Sequence, residues 1–172
     1  MTRIVGDPEC PICHAPADRD VAFFPEYTDG LNVDPVYSMF HQPAFHWSCY
    51  YAWPDRESFA SILFDRHVTN RNRSTLHGKA YRDDDIAVFA WVCEPLDITI
   101  ILRQTGRSLC ASQEEWVNWQ NDPTTIAPHC HDNERRFLAL VLPRVWRLFP
   151  DRKSFVSHTE WTNTERHLYA DT

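Results

Sequence analysis

Apolar positions along the chain change their period more than once, and the changes predict its elements. Before residue 46 they come as short runs, Val21-Ala22-Phe23-Phe24 and Val36-Tyr37-Ser38-Met39-Phe40. Asp29-Gly30 stands between them as a turn dipeptide, so the pair predicts a β-hairpin. From His46 the spacing turns helical. One short helix is expected over 46–52. Trp53-Pro54-Asp55 interrupts it, and a second helix is expected over 56–67. Phe59, Ile62, Leu63 and Arg66 recur there at helical intervals, and the apolar three are expected to face the N-terminal module. Residues 69–79 are polar and without apolar period. They read as a boundary between a module at 1–70 and a second part at 80–172, together one compact unit.

Beyond it the pattern is sheet, then helix. Ile86 to Cys93 is an almost unbroken apolar run, Ile98 to Leu102 a second, and Leu109 to Ala111 a shorter third. Glu94-Pro95-Leu96-Asp97 and Thr105-Gly106 are turns, which predicts a three-stranded antiparallel meander with Cys93 and Cys110 as core thiols. Ser112-Gln113-Glu114-Glu115 has the form of a capping box, so a helix carrying Trp116 and Trp119 starts there and stops at Asn121-Asp122-Pro123. A longer helix is expected over 133–149, with Asp132 as its N-cap. Its wide apolar face includes Phe137, Leu140, Val141, Val145 and Leu148, and Pro143 should kink or break it. Arg136, Arg144 and Arg147 lie with Leu140 along one side, and read as an outer face paired with the chain's carboxylates. The fold class is therefore α+β: an N-terminal module packed on a small antiparallel sheet with C-terminal helices.

One local pattern occurs twice. Trp53-Pro54-Asp55-Arg56-Glu57-Ser58-Phe59 is matched in register by Phe149-Pro150-Asp151-Arg152-Lys153-Ser154-Phe155. An aromatic, a proline at a helix entrance and an acidic first turn describe both copies.

The chemistry-bearing motif is Cys10-Pro11-Ile12-Cys13 with His46-Trp47-Ser48-Cys49. Thiolate and imidazole are ligands that zinc prefers, and a two-residue gap aims both members of a pair at one point. Cys10, Cys13, His46 and Cys49 are therefore expected to hold one structural Zn2+. His14 and His41 are alternatives; His46 is preferred because it shares the gap with Cys49. A redox reading of Cys10 and Cys13 wants a preceding strand and a helix running on from the motif, and Pro11 and Pro16 give a knuckle and loop instead. Four ligands with three thiolates make a closed centre, whereas a catalytic zinc keeps a position open for water. Trp47 and Trp53 beside the site read as its hydrophobic cover.

These two pairs, a knuckle followed by ligands at a helix start, resemble the treble-clef zinc fingers, the group that includes LIM-like and RING-like modules. The resemblance spans residues 10 to about 66. It departs from LIM in the long insert at 14–45 and in lacking a second four-ligand site directly downstream, and it lacks the doubled ligand set of a cross-braced RING. What it implies is a structural zinc and a scaffold role in contacts with protein or nucleic acid.

Charge narrows the partner. Acidic residues number 24 against 17 basic ones, a net charge of −7, and that field opposes polyphosphate and favours a basic protein. No apolar run is long enough to cross a membrane, and the start has no signal-peptide form, so the six cysteines are expected in a reducing cytoplasm. Arg71, Arg73 and Lys79 in the polar stretch read as solvated charges, and Asp83-Asp84-Asp85 as a turn before a strand. His129-Cys130-His131-Asp132 invites a catalytic or second metal site, yet neighbours in an extended segment point to opposite sides, so neither ring readily serves Cys130. No phosphate loop, nucleophile elbow or H-E-x-x-H helix occurs. The expected function is a non-enzymatic zinc-stabilised protein-binding module, such as an immunity or inhibitor protein for a basic partner, with Trp116, Trp119 and Trp161 as candidate anchors. An enzyme using a pocket near His129 and His131, and a nucleic-acid-binding zinc protein, are the alternatives.

Overall fold

The structure is a computed structural model, and it describes residues 9–24, 44–73, 77–91, 97–126, 130–149 and 152–161. The expected strand at Val36–Phe40, the Asp29-Gly30 turn, and Cys93 with the 94–96 turn lie outside the described residues. The chain is α+β, and it divides into two units, Met1–Phe59 and Ala60–Thr172.

In the first unit, β1 (Val21–Phe23) pairs antiparallel with β2 (Ala44–His46), and α1 (Trp47–Ala52) follows without a break. α2 (Arg56–Arg73) starts after the Trp53-Pro54-Asp55 interruption. Phe24, Phe45, Tyr50, Trp53 and Phe59 form one aromatic cluster, with ring centroids 5.2 Å apart for Trp53 and Phe59 and 5.3 Å for Phe45 and Tyr50. Phe45, Tyr50 and Phe59 are fully buried, each contributing about 1.5–3 kcal/mol or more of apolar burial.

The second unit is built on a five-stranded antiparallel sheet of order β6-β5-β4-β3-β7. Its strands are β3 (His77–Arg82), β4 (Ile86–Trp91), β5 (Asp97–Leu102), β6 (Ser108–Ser112) and β7 (Glu160–Trp161). The expected meander is present, with β3 and β7 added to it. β3 falls partly in the polar stretch read as connector; its pairing with β4, bulged between Lys79 and Tyr81, makes the strand. α2 likewise runs on to Arg73, beyond the expected end at 67.

Both faces of the sheet are covered, which is why its central strands read as continuous apolar runs. Ala87, Phe89 and Ile101 pack with Phe64 and Val68 of α2, so this part of the helix buries its face on the sheet. Ile62, expected on the buried face, is exposed. Ile86, Val88, Ile98, Ile100 and Leu102 face the opposite way, against α3 (Gln113–Asn121), α4 (Asp132–Leu148) and α5 (Arg152–His158). Trp116 and Trp119 are buried in that core, which removes them as surface anchors. Cys110 is exposed rather than a core thiol, because β6 is an outer strand of the sheet and Leu109 and Ala111 take its inward positions.

The capping box at Ser112 and Glu115 forms as expected. The repeated motif also acts alike in both copies: Phe149 packs on Phe155 at 5.4 Å, as Trp53 does on Phe59. Each aromatic thus staples the start of a helix to a residue in its second turn. α4 continues through Pro143 without breaking.

The turn between β5 and β6 grips both layers. Gly106 has φ +70°, and a Cβ there would meet Leu63 Cβ at 2.7 Å, so α2 approaches this turn as closely as glycine allows. On the other side Thr105 Oγ1 donates to Glu134 Oε1 at 2.9 Å and Arg107 Nη1 to Glu134 Oε2 at 2.7 Å. Glu134, fully buried, also accepts from the His131 backbone N–H as part of a capping box. Burial pushes its carboxyl pKa up, against the opposing pull of Arg107 and Thr105.

Arg107→Ala leaves Glu134 buried without its cation, and urea unfolding should show a loss of about 3–5 kcal/mol. A loss below about 1 kcal/mol would show that the pair is dispensable. Because the folded state holds the Glu134 proton more tightly than the unfolded chain, its stabilising share is complete below the ordinary glutamate range and is lost as pH rises through the raised value. Glu134→Gln should remove that slope from the stability profile.

Candidate metal centre

Cys10 to Ala15 form a tight knuckle. Cys10 N–H donates to the Ala15 carbonyl at 2.9 Å and His14 N–H to the Cys10 carbonyl at 2.8 Å, and Glu9 and Pro16 bridge across its base. His14 closes the knuckle in the left-handed region, with φ 57°, a conformation that costs a non-glycine residue roughly 1–2 kcal/mol. The second pair comes from the strand-to-helix junction: His46 ends β2 and is the N-cap of α1, and Cys49 lies in the first turn. Trp47 N–H donates to the Asp20 carbonyl at 3.0 Å, which ties the helix start to the knuckle strand. Helical spacing sends Trp47 and Tyr50 into the core and leaves Cys49 on the side of His46.

The donor atoms of Cys10, Cys13, His46 and Cys49 all lie within 4.8 Å of one another, an arrangement that can hold a metal ion and is compatible with a zinc-finger-like site. His46 Nδ1 stands 3.4 Å from Cys13 Sγ, while Nε2 lies 3.0 Å from the Pro16 carbonyl. A carbonyl only accepts, so Nε2 carries the proton and Nδ1 presents its lone pair to the sulfurs, as metal-bound histidines are held. Cys10 is buried, with Ala17 and Ala44 packed behind it and Ile12 and Val21 alongside; Cys13 is exposed. The site therefore has a dry back and a wet rim.

Electrostatics make the metal-free cluster uneven. Burial would push the Cys10 thiol up, but backbone N–H groups of Cys13, His46 and Ile12 outweigh it and hold it down at about 6. Burial, then Cys13 and the charge of Cys10, push Cys49 up to about 11. The Cys13 sulfur raises the His46 pKa. Three thiolates this close repel, and a bound cation removes the repulsion.

The other chemical cluster comes apart. Cys130 is buried in the core and burial pushes its thiol up to about 12, opposite to the lowered pKa of a reactive cysteine. His131, not Asp132, caps α4: its Nδ1 accepts from Asn133 N–H at 3.2 Å. His129 lies outside the described residues. His41 does too, and His14 is not in the four-donor group. The acidic triplet is a turn, in which Asp83 Oδ1 accepts from the N–H groups of Asp85 and Ile86. Pro16, expected only as part of the knuckle and loop, also orients His46 through its backbone carbonyl, a role that leaves no mark in side-chain spacing.

Cys13→Ser should lose the bound metal, read by elemental analysis and by thiolate absorption after cobalt substitution, whereas His14→Gly should keep it and gain roughly 1 kcal/mol from relief of the left-handed residue. Metal retained by Cys13→Ser would overturn the ligand set. His131→Ala should leave metal content unchanged and cost about 0.5–2 kcal/mol through loss of the cap, measured by denaturation.

No protein-family model, curated protein or solved structure matches the chain.

Proposed function

We propose that the protein is a zinc-stabilised, non-enzymatic protein-binding module, with residues 10–66 forming a treble-clef-type zinc finger. The observation that carries this reading is the closed donor set, three sulfurs and one oriented imidazole nitrogen within 4.8 Å. Sulfur-rich tetrahedral sets suit zinc, and four protein ligands leave no position for a substrate or water. The zinc then serves folding. Cys10 joins the small apolar group formed with Ala17 and Ala44, so the ion fastens the knuckle to the strand and helix that follow it.

A binding role is supported over catalysis by the burial of Cys130, which pushes its thiol pKa up, and by the use of His131 as a helix cap. Net charge of −7 favours a basic protein partner, of the kind an immunity or inhibitor protein meets, and opposes nucleic acid. Among the described residues no helix is long and apolar enough to cross a membrane.

Purified protein should contain one zinc per chain. Chelation should abolish hydrogen-exchange protection in residues 9–24 and 44–59 while the second unit keeps its own, since binding energies of about 10–16 kcal/mol at structural zinc sites are folding energy. Protection unchanged in metal-stripped protein would defeat the structural role. Affinity capture from the host should recover a basic protein at about 0.1 M salt and lose it near 1 M, as the Debye length shrinks from about 10 to about 3 Å. Recovery of nucleic acid alone would defeat the protein-binding role.

A further inference from the structure

The outward face of α4 runs against the charge of the rest of the molecule. Leu138, Val141, Leu142 and Val145 bury the inner face, whereas Leu140 is 77% exposed and Leu148 51%. The apolar face expected from the sequence therefore splits, and these two leucines stand on the solvent side. At 100° per residue Arg136, Leu140 and Arg147 share one line along the helix. The arginines sit roughly 16 Å apart at about 1.5 Å per residue, with Leu140 between them.

The three arginines do not behave alike. Arg144 is tied to Asp85 at 2.6 Å and to Asp83 at 3.5 Å. Among the described residues neither Arg136 nor Arg147 forms an ion pair, although Arg136 assists Arg135 in holding the Asp132 carboxyl down, in a chain with a clear excess of carboxylates. The expectation that this face pairs with the protein's own acids is thus met by ion pairs at Arg144, and by the weaker Asp132 interaction at Arg136. A leucine this exposed, with an exposed arginine about one or two turns to either side, offers an apolar contact rimmed by positive charge.

We propose that this face of α4 docks an acidic protein segment whose carboxylates meet Arg136 and Arg147 and whose apolar side chain covers Leu140. Charge complementarity selects this occupant. Two copies of the chain meeting antiparallel through this face would set arginine against arginine. An anionic bilayer would meet only two exposed leucines, Leu140 and Leu148, too little apolar area to hold the helix in an interface. The inference stands apart from the zinc reading, since α4 contributes no metal ligand.

The test uses the metal-loaded full chain and a synthetic helical peptide with glutamates at positions i and i+11 around leucines at i+4 and i+8, beside a twin with lysine for glutamate. The acidic peptide should bind about tenfold or more tightly than its twin at low salt, with amide shifts concentrated in residues 136–148. Leu140→Asp, and separately Arg136→Glu with Arg147→Glu, should each lower that affinity about tenfold while circular dichroism stays native. Equal binding of the two peptides, no binding up to about 1 mM, or indifference to both variants would overturn the proposal. So would a dimer in sedimentation that Leu140→Asp dissolves, which would assign the face to a second copy. Cosedimentation with phosphatidylserine vesicles that the same variants abolish would assign it to a membrane and overturn the proposal equally.

Discussion

Three sulfurs and an imidazole nitrogen within 4.8 Å are the constraint on which the first unit turns. Left to themselves these groups cannot all take the charge state that ligation needs: Cys10 is held at about 6 and Cys49 at about 11, so one loses its proton readily and the other keeps it. A divalent cation held there would convert this conflict into cohesion. Among its described residues, regular pairing across strands is three residue pairs between β1 and β2 and a bridge at the knuckle, to which such cohesion would add. Hydrogen bonds prepare the site for the ion, through the Pro16 carbonyl that sets the His46 tautomer and the Asp20 carbonyl that anchors the helix start.

The second unit rests on different physics. Its sheet is buried on both faces, and the helices are held by apolar area rather than by a staple. Among the described residues some polar atoms enter that core without a hydrogen-bond partner, Trp146 Nε1 among them, whereas others are matched. Glu134 is the main case, satisfied by a hydroxyl, a guanidinium and a backbone N–H at once. Because Thr105, Gly106 and Arg107 are consecutive, one short turn positions α4 through Glu134 and admits α2 at the glycine. Arg103 adds to the α2 side, lying 4.1 Å over the Phe64 ring and donating to Ser61 and Asp65.

Charge is distributed unevenly against this frame. Several carboxylates are consumed internally, Asp83 in its turn and Asp65 with Arg82 and Arg103. Net charge therefore describes the long-range field, while local recognition depends on which groups remain unmatched. On α4 the exposed Arg136 and Arg147 form no ion pair among the described residues, whereas Arg144 is tied to Asp85.

What the sequence alone determined was whatever depends on near neighbours in the chain. Two-residue gaps named the four donors, S-x-x-E named the cap of α3, alternation of turns and apolar runs named β4, β5 and β6, and the repeated aromatic-Pro-Asp-Arg pattern named two helix starts; each is a relation within about two turns of backbone. Tertiary structure alone decided the rest. β3 has no apolar alternation and exists because β4 offers it a ladder. Trp116 and Trp119 became core, Cys110 became surface, and Leu140 and Leu148 turned outward, since burial depends on what another element covers and not on a residue's own hydrophobicity. Glu134 and Arg107 are far apart in sequence, and only the fold brings the turn to the helix start. The imidazole proton was decided in the same way, by a backbone carbonyl that carries no letter of its own.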